Sequence, residues 1–275
     1  MMRARQFRRI WLVLLVFVLS ANALFPQTRP FPYELKKKDY WLLPMSVGLA
    51  ALGKSLHDNQ AHITLEEILT LDRNAINAFD RSATNNWSPR WSDRSDLTRD
   101  ILVYSSFFFV VAPPILETEW TNALTVAAMF AESSLLLAGA TSLTKAAVGR
   151  KRPYLYNTDL SLEERLAVRD DPSSSFFSGH TSAAFMAAAF VSKVFNDIHG
   201  RSIWSGFVWG TSLSLAALTG FARVKAGMHY PSDVIVGAAV GFAIGYLVPT
   251  LHKKKWGDRA SVSAGPNFVC FRLKF

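Results

Sequence analysis

The sequence predicts an all-α protein, a helical bundle that crosses a membrane several times. Five apolar segments favour this fold class: 101–116, 123–145, 181–195, 203–222 and 234–249. Most have 15 to 20 residues, which is short for a full span of about 20 residues and long for an ordinary core helix. Basic tracts flank several of them, as is typical beside a membrane. No β-type alternation occurs before residue 260.

The first 23 residues are typical of an export signal, and we expect either a cleaved signal peptide or an uncleaved N-terminal anchor. Four arginines precede the apolar run IWLVLLVFVLS, and ANA at 21–23 has the small residues of a cleavage site. Residues 24–97 form a lead-in, with a short apolar helix at 40–53 and a polar helical region in which Thr64 and Glu67 make a capping box. Residues 98–251 form the predicted core, and 252–275 form a basic, strand-like tail.

The composition restricts the classes of partner. The net charge of +9 indicates a protein that meets anions, such as nucleic acid, anionic lipid or a phosphorylated substrate. The sequence has neither zinc-finger spacing nor an RNA-binding aromatic motif, so we expect no nucleic acid. The single cysteine, Cys270, excludes an internal disulfide and a cysteine-rich metal site.

The segment KAAVGRKRP, at the end of apolar segment 123–145, places two cations close together. Lys145 and Arg152 are seven residues apart, or two helical turns, so both are expected on one side of a helix. Pro153 disfavours helix before it and ends the element. Such a pair suits the oxygens of a phosphate, with the arginine binding through two hydrogen bonds. Taken alone, the tract also fits a basic anchor at a membrane surface.

The segment SSSFFSGHTSAAF places Ser178, Gly179 and His180 before an apolar helix that begins near Thr181. Small residues at a helix N-terminus leave backbone N–H groups that bind anions. His180 is there in a position to give a proton to a leaving oxygen. Taken alone, the segment also fits an ordinary helix cap.

The segment ARVKAGMHYPSD joins two apolar segments and contains Arg223, His229 and Asp233. Pro231 fits the first turn of the last helix, where Asp233 complements the helix dipole. Asp233 lies four residues after His229 and is expected to accept from one ring nitrogen, which leaves the other as a nucleophile. Arg223 adds a third cation. The alternative is a helix-capping pair of His229 and Asp233.

These three segments lie at one rim of an up-and-down bundle. Segment 123–145 arrives at that rim, 181–195 leaves it, 203–222 returns and 234–249 leaves again. We therefore expect two histidines, three cations and one aspartate to form a single site there.

The ordered set Lys145-x6-Arg152-Pro153, Ser178-Gly179-His180 and Arg223-x5-His229-x3-Asp233 resembles the three motifs of the type-2 phosphatidic-acid phosphatase superfamily. The resemblance covers roughly residues 100 to 250, and the superfamily also includes class A acid phosphatases and vanadium haloperoxidases. Phe177 and Ala222 stand where the family pattern has Pro and Ser. Neither departure removes a charged or nucleophilic group.

The resemblance implies a phosphoric ester hydrolase that needs neither a cofactor nor a metal. It implies that His229 attacks phosphorus to form a phosphohistidine, that Asp233 fixes its tautomer, and that His180 protonates the leaving group and then activates water. The implied phosphate-binding residues are Lys145, Arg152, Ser178, Gly179 and Arg223. Cations would carry the charge stabilisation that Mg²⁺ gives to other phosphoryl-transfer enzymes.

Apolar helices on both sides of the predicted site favour a phosphorylated lipid substrate and contact with membrane lipid. Two alternatives stay open: an exported acid phosphatase acting on soluble phosphomonoesters, and a catalytically inactive envelope protein that binds lipids or anions. A haloperoxidase is disfavoured by the short chain and its membrane-like helices.

The basic tract at 253–255 predicts a cytoplasmic end for the last helix and a site on the external, periplasmic face of the cell membrane. A soluble periplasmic or secreted enzyme is the alternative. Cleavage of the signal would place the basic tract at 36–38 outside the cell. One of three assumptions is therefore wrong: cleavage, the spanning status of 40–53, or the positive-inside assignment.

Overall fold

The structure, a computed structural model, describes residues 30–37, 39–59, 63–116, 119–168, 170–254, 260–265 and 268–273. The predicted signal peptide or anchor at 1–23 lies outside these residues. The helices are α1 (Asp39–Asp58), α2 (Leu65–Leu69), α3 (Ala78–Arg81), α4 (Pro89–Leu116), α5 (Trp120–Val148), α6 (Leu162–Leu166), α7 (Gly179–His199), α8 (Ile203–Lys225) and α9 (Pro231–Leu251). Short 3-10 turns cover Arg73–Ala75, Ser82–Asn85 and Pro153–Tyr156, and the strands are β1 (Ala260–Gly265) and β2 (Phe268–Leu273).

In the described part of the chain, six long helices run along the bundle in alternating directions, namely α1, α4, α5, α7, α8 and α9. Contacts at their ends define two faces. At the site face, Nε2 of His57 near the end of α1 lies 3.3 Å from Oγ of Ser174. At the opposite, distal face, Nε2 of His252 after α9 lies 3.4 Å from Oδ1 of Asp39 at the start of α1. Helices α4, α7 and α9 start at the site face, whereas α5 and α8 end there.

A glycine stripe on α9 allows this helix to pack closely against α7. The stripe consists of Gly237, Gly241 and Gly245, and a Cβ atom added at any of the three would lie within 2.7 Å of a backbone oxygen of α7. The spacing of four residues places the three glycines on one face of α9, and this face lies directly against the backbone of α7. Because the starts of both helices carry site residues, the contact fixes those residues relative to each other.

The first and last described parts of the bundle meet at the distal face. Tyr33 forms a β-bridge with Lys253, and the backbone N–H of Lys254 donates to the oxygen of Pro32 at 3.0 Å. The Nζ of Lys36 donates to the backbone oxygen of Lys253 at 2.7 Å. This distal clamp places the two basic tracts on one face.

Within the described residues, three helical stretches are long and apolar enough to cross a membrane, namely Trp120–Tyr156, Ile203–Lys225 and Pro231–Leu251. Large apolar side chains of α8, such as Trp204, Phe207 and Phe221, remain exposed, as contact with lipid requires. The predicted all-α membrane bundle is thus confirmed.

The structure differs from the sequence prediction at the start of α4 and adds detail in the tail. Helix α4 begins at Pro89 and runs through the boundary placed after residue 97, because the polar stretch SDRSDLTRD continues the helix into the site face. The strand-like tail predicted at 252–275 contains two strands, which form an antiparallel hairpin in which Ala260 pairs with Leu273.

Candidate active site

Lys145 lies in the last turn of α5 at the site face. The helix ends before Gly149, whose φ of 56° is left-handed and caps the helix. Arg152 therefore lies beyond the helix, and the expectation that it shares a helix face with Lys145 is wrong. Loop contacts hold it instead, since its backbone N–H donates to the oxygen of Pro172 at 2.9 Å and its Nε donates to that of Asp171 at 2.7 Å.

Arg223, in the last turn of α8, is buried and faces polar side chains at the start of α4. Its Nη1 lies 3.3 Å from the hydroxyls of both Ser92 and Ser95, and its Nη2 lies 3.7 Å from Oδ2 of Asp170. Its buried Nε has no hydrogen-bond partner within the described part of the chain. Because an unpaired buried donor is costly, a bound anion at this position would stabilise the arginine.

Ser178 caps α7, which begins at Gly179 and not at Thr181. The hydroxyls of Ser178 and Thr181 lie 2.9 Å apart, and the backbone N–H of Ser178 donates to the backbone oxygen of Asp233 at 3.2 Å. Both groups are therefore used within the fold, and the backbone bond links the second motif to the third. Phosphate binding by Ser178 stays a prediction. Gly179, at the first position of the helix, stays a predicted phosphate ligand.

His180 pairs with a carboxylate that the motifs did not contain. Its Nε2 lies 2.7 Å from Oδ1 of Asp96 and also contacts Arg99. Burial lowers the pKa of His180 to about 4, although the hydrogen bond to Asp96 opposes that change. The imidazole is therefore neutral at neutral pH, and a doubly negative phosphate beside it would raise its pKa.

His229 is buried, and its Nδ1 lies 2.7 Å from the backbone oxygen of Ser175. A carbonyl oxygen only accepts hydrogen bonds, so Nδ1 carries the proton and Nε2 keeps its lone pair. Burial lowers the pKa of His229 well below its usual value, and the charges of Arg152, Arg223 and Lys145 lower it further. The result is a neutral imidazole with an unprotonated nitrogen among three cations.

Asp233 does not bond directly to His229, as the sequence had led us to expect. Its Oδ2 lies 3.8 Å from Nδ1 of His229 and accepts instead from the Ser175 hydroxyl at 2.6 Å and the Tyr230 N–H at 2.9 Å. This occurs because Asp233 caps its own helix. Ser175 therefore lies between the two, with its carbonyl on the histidine and its hydroxyl on the aspartate.

The structure brings all three motifs to the site face and adds residues that motif analysis missed. These are Asp80, Asp96, Arg150, Asp170 and Ser175. Arg150 lies inside the tract KAAVGRKRP, and Ser175 lies inside SSSFFSGH, so both had a visible signal in their neighbours. The three aspartates had no such signal, because a contact between a motif and a loop that is distant in the chain leaves no regular spacing in the sequence.

Comparison with known families gives one match that covers the site. Residues 123–257 match the family model described as the PAP2 superfamily.

Two curated relatives come from Porphyromonas gingivalis: lipid A 4'-phosphatase, 33% identical over 98 residues (34% of this chain, 37% of that protein), and lipid A 1-phosphatase, 35% identical over 83 residues (30% and 17%). A third is probable diacylglycerol pyrophosphate phosphatase 1 of Schizosaccharomyces pombe, 33% identical over 130 residues (39% and 46%). The chain spans less than half the length of each of these relatives.

Two solved structures also match. One is a transmembrane PAP2-type phosphatidylglycerolphosphate phosphatase from Bacillus subtilis, with a TM-score of 0.48 and 19% identity, covering 78% of this chain and 96% of that one. The other is LpxE from Aquifex aeolicus, with a TM-score of 0.42 and 23% identity, covering 61% and 90%.

Proposed function

The chain belongs to the PAP2 superfamily, and from that premise we propose that it hydrolyses a lipid phosphate monoester or diphosphate through a phosphohistidine, without a metal ion. The observation that carries this proposal is the protonation of His229 and the charge of its neighbours. It is neutral, its Nδ1 proton is held by Ser175, and its electrostatic neighbours are Lys145, Arg152 and Arg223.

In the first step, Nε2 of His229 attacks phosphorus and the bond from phosphorus to the lipid oxygen breaks. His180 donates a proton to the leaving oxygen, which departs as an alcohol or, from a diphosphate, as a phosphate monoester. The Nδ1 proton of His229 stays in place, so the phosphorylated ring is cationic. The Ser175 carbonyl and the nearby Asp233 carboxylate stabilise that charge.

In the second step, water attacks phosphorus and the bond from phosphorus to Nε2 breaks. His180, now neutral, accepts the proton from water, and inorganic phosphate leaves. Lys145, Arg152 and Arg223 stabilise the charge that spreads over the equatorial oxygens in both transition states. The unpaired Nε of Arg223 supplies one donor, and the N-terminus of α7 at Gly179 supplies backbone N–H groups.

The substrate class follows from the surroundings of the site and from the named relatives. Helices α5, α8 and α9 all reach the site face and are apolar enough to cross a membrane, so a lipid in the bilayer meets the site by its headgroup. The curated relatives are named for lipid A and diacylglycerol pyrophosphate. A phosphorylated lipid is the shared chemistry.

We assign the site face to the external side of the membrane. Lys36, Lys37, Lys253 and Lys254 lie together at the distal clamp, and the positive-inside rule places such a cluster in the cytoplasm. Because both tracts lie on one face, a single orientation with both in the cytoplasm satisfies the positive-inside rule, and this supports the external assignment of the site face.

The test is phosphate release by the purified protein in mild detergent with EDTA present. A short-chain phosphatidic acid, a lipid diphosphate and a soluble phosphomonoester are compared. His229→Gln is the test variant, and His252→Gln, a buried histidine at the distal face, is its matched control. We expect lipid turnover by the wild type and by the control, and none by His229→Gln.

The intermediate is tested by quenching the reaction with a ³²P-labelled substrate. We expect label on the protein that is stable in alkali and lost in acid, as for a phosphohistidine, and no label on His229→Gln. Preference for the soluble ester would replace the lipid assignment with an exported acid phosphatase. Turnover abolished by EDTA would contradict metal independence.

A further inference from the structure

Arg150 lies between the predicted phosphate ligands Lys145 and Arg152 in the sequence, but its side chain binds carboxylates. Its Nη1 donates to Oδ1 of Asp233 and to the Ser232 hydroxyl at 2.8 Å. Its Nη2 donates to Oδ2 of Asp80 at 2.8 Å, and its guanidinium lies 4.0 Å from the ring centroid of Tyr230. The side chain thus joins two carboxylates that come from remote parts of the chain.

Asp80 is 1% exposed, although it belongs to the lead-in that precedes the long helices. Besides Arg150, it accepts from the Ser232 N–H at 3.0 Å and the Ser232 hydroxyl at 2.6 Å, and from the Asn77 amide at 2.9 Å. Burial opposes its charge, but hydrogen bonds from Ser232, Arg150 and Asn77 outweigh burial and lower the pKa of Asp80. The carboxylate is therefore charged at neutral pH.

A continuous series of hydrogen bonds leads from Asp80 to His229. Arg150 links Asp80 to Asp233, and Asp233 accepts from the Ser175 hydroxyl at 2.6 Å. The carbonyl of Ser175 accepts the Nδ1 proton of His229 at 2.7 Å. The backbone adds a second link, because the N–H of Ser175 donates to the backbone oxygen of Arg150 at 2.9 Å.

We propose that Asp80 and Arg150 are positioning residues that hold His229 in its nucleophilic tautomer through Asp233 and Ser175. This role rests on the proposed function of His229. Neither residue reaches the reacting atoms, and both act by fixing the carbonyl that receives the Nδ1 proton. The lead-in segment therefore supports the position of His229 through Asp80.

The physical reason is that a partly buried arginine between two buried carboxylates has little freedom to move. If one carboxylate is removed, Arg150 is held by the other carboxylate alone. Arg150 and Asp233 then adopt other arrangements, and Ser175 follows because its hydroxyl is bound to Asp233. A planar guanidinium also bridges two acceptors, which a lysine ammonium does less well.

The test uses Asp80→Asn, Arg150→Lys and Arg150→Gln in the full-length protein, with Asp197→Asn as matched control. Asp197 is also a buried aspartate in an ion pair, with Lys193, but lies at the distal face. The loss of a hydrogen bond to a charged group predicts a fall in kcat of about 10- to 100-fold for Asp80→Asn and Arg150→Gln. We expect KM to change less than about twofold, because the phosphate ligands are untouched. Arg150→Lys retains the charge and is expected to keep an intermediate kcat, whereas Asp197→Asn keeps the wild-type kcat.

A second measurement is independent of turnover. In protein labelled with ¹⁵N-histidine, the signals lost in His229→Gln identify His229, and their chemical shifts report which ring nitrogen carries the proton. We expect a protonated Nδ1 in the wild type and a mixture of tautomers in Asp80→Asn. Unchanged shifts in Asp80→Asn would overturn the positioning role even if the wild type proved inactive, whereas an inactive wild type with shifted signals would overturn only the phosphatase proposal. A rise in KM alone would assign Asp80 to substrate binding and contradict the proposal.

Discussion

Ser175 holds both members of the histidine–aspartate pair, with its carbonyl 2.7 Å from Nδ1 of His229 and its hydroxyl 2.6 Å from Oδ2 of Asp233. The aspartate and the histidine are themselves 3.8 Å apart. The serine backbone thus fixes the tautomer, and the aspartate fixes the serine.

Ser175→Ala separates these two functions. The carbonyl that binds His229 remains, while the hydroxyl that binds Asp233 is lost. We expect kcat to fall by about 10-fold, the loss of one hydrogen bond to a charged group at the low end of its range. Ser173→Ala, in the same tract and bonded to Lys151, is the control. A kcat for Ser175→Ala equal to that of the control would show that the aspartate acts on His229 without the serine.

Gly241→Ala tests the glycine stripe between α7 and α9. The added Cβ would lie 2.0 Å from the backbone oxygen of Ser182, and overpacking of this kind lowers the free energy of unfolding by about 1–3 kcal/mol. The matched control is Gly210→Ala on α8, where nothing lies within 4 Å of the added Cβ. That change is expected to raise stability by about 0.5–1 kcal/mol, the difference in helix propensity. Thermal unfolding in detergent measures both, and equal Tm changes for the two variants would contradict the packing.

The two site histidines predict how stability depends on pH. The pKa values of His180 and His229 lie below that of an unfolded histidine, which is about 6.5. From about pH 4 to 6.5 the unfolded chain therefore binds more protons than the folded chain, so the free energy of unfolding rises with pH across this window.

We expect Tm to fall as the pH is lowered from about 7 to about 5, and to fall less in His180→Asn, which lacks one of the two groups. The pKa values of Asp80, Asp96 and Asp171 are lowered in the folded protein. Protonation of these carboxylates therefore destabilises the fold only at more acidic pH. A wild-type Tm that is constant or higher near pH 5 would contradict the neutral, buried state of these histidines.

We expect Asp170 to compete with phosphate for Arg223. Its Oδ2 lies 3.7 Å from Nη2 of the arginine, and its side chain is 46% exposed. Because the carboxylate is exposed and 3.7 Å away, the pair is expected to contribute about 0.2–1 kcal/mol. Asp170→Asn is therefore expected to lower the inhibition constant of inorganic phosphate by up to about fivefold. Asp159→Asn, in an exposed position, is the control. Weaker inhibition in Asp170→Asn would instead mean that the aspartate orders the arginine for phosphate.

The sequence was sufficient for the family, the membrane bundle and the convergence of three motifs. The resemblance of the three motifs indicated the family, and the apolar segments indicated the bundle. The position of each motif at a segment end predicted their convergence, because alternating helices return to the same face. Gly237, Gly241 and Gly245 were also informative, since a spacing of four residues defines one helix face.

Sequence patterns failed where the local backbone or a distant loop decides the contact. The left-handed Gly149 ends α5 before Arg152, and spacing alone treated the two cations as members of one helix. Asp233 lies at the right distance from His229 in sequence, but capping of α9 draws its carboxylate to Tyr230 and Ser175. Asp80 lies 70 residues before Arg150 in a segment without a motif, so its role became visible only in three dimensions.

The distal clamp has a consequence for how the protein is made. Lys36 bonds to Lys253, 217 residues later, and Asp39 faces His252. The polar start of α1 therefore has no access to these partners until residues 252 and 253 have been synthesised. Contacts between such distant residues form slowly because a long loop must close first. Contacts of α1, which is synthesised early, are thus among the last to form. A chain cut before residue 252 would leave the start of α1 without those partners.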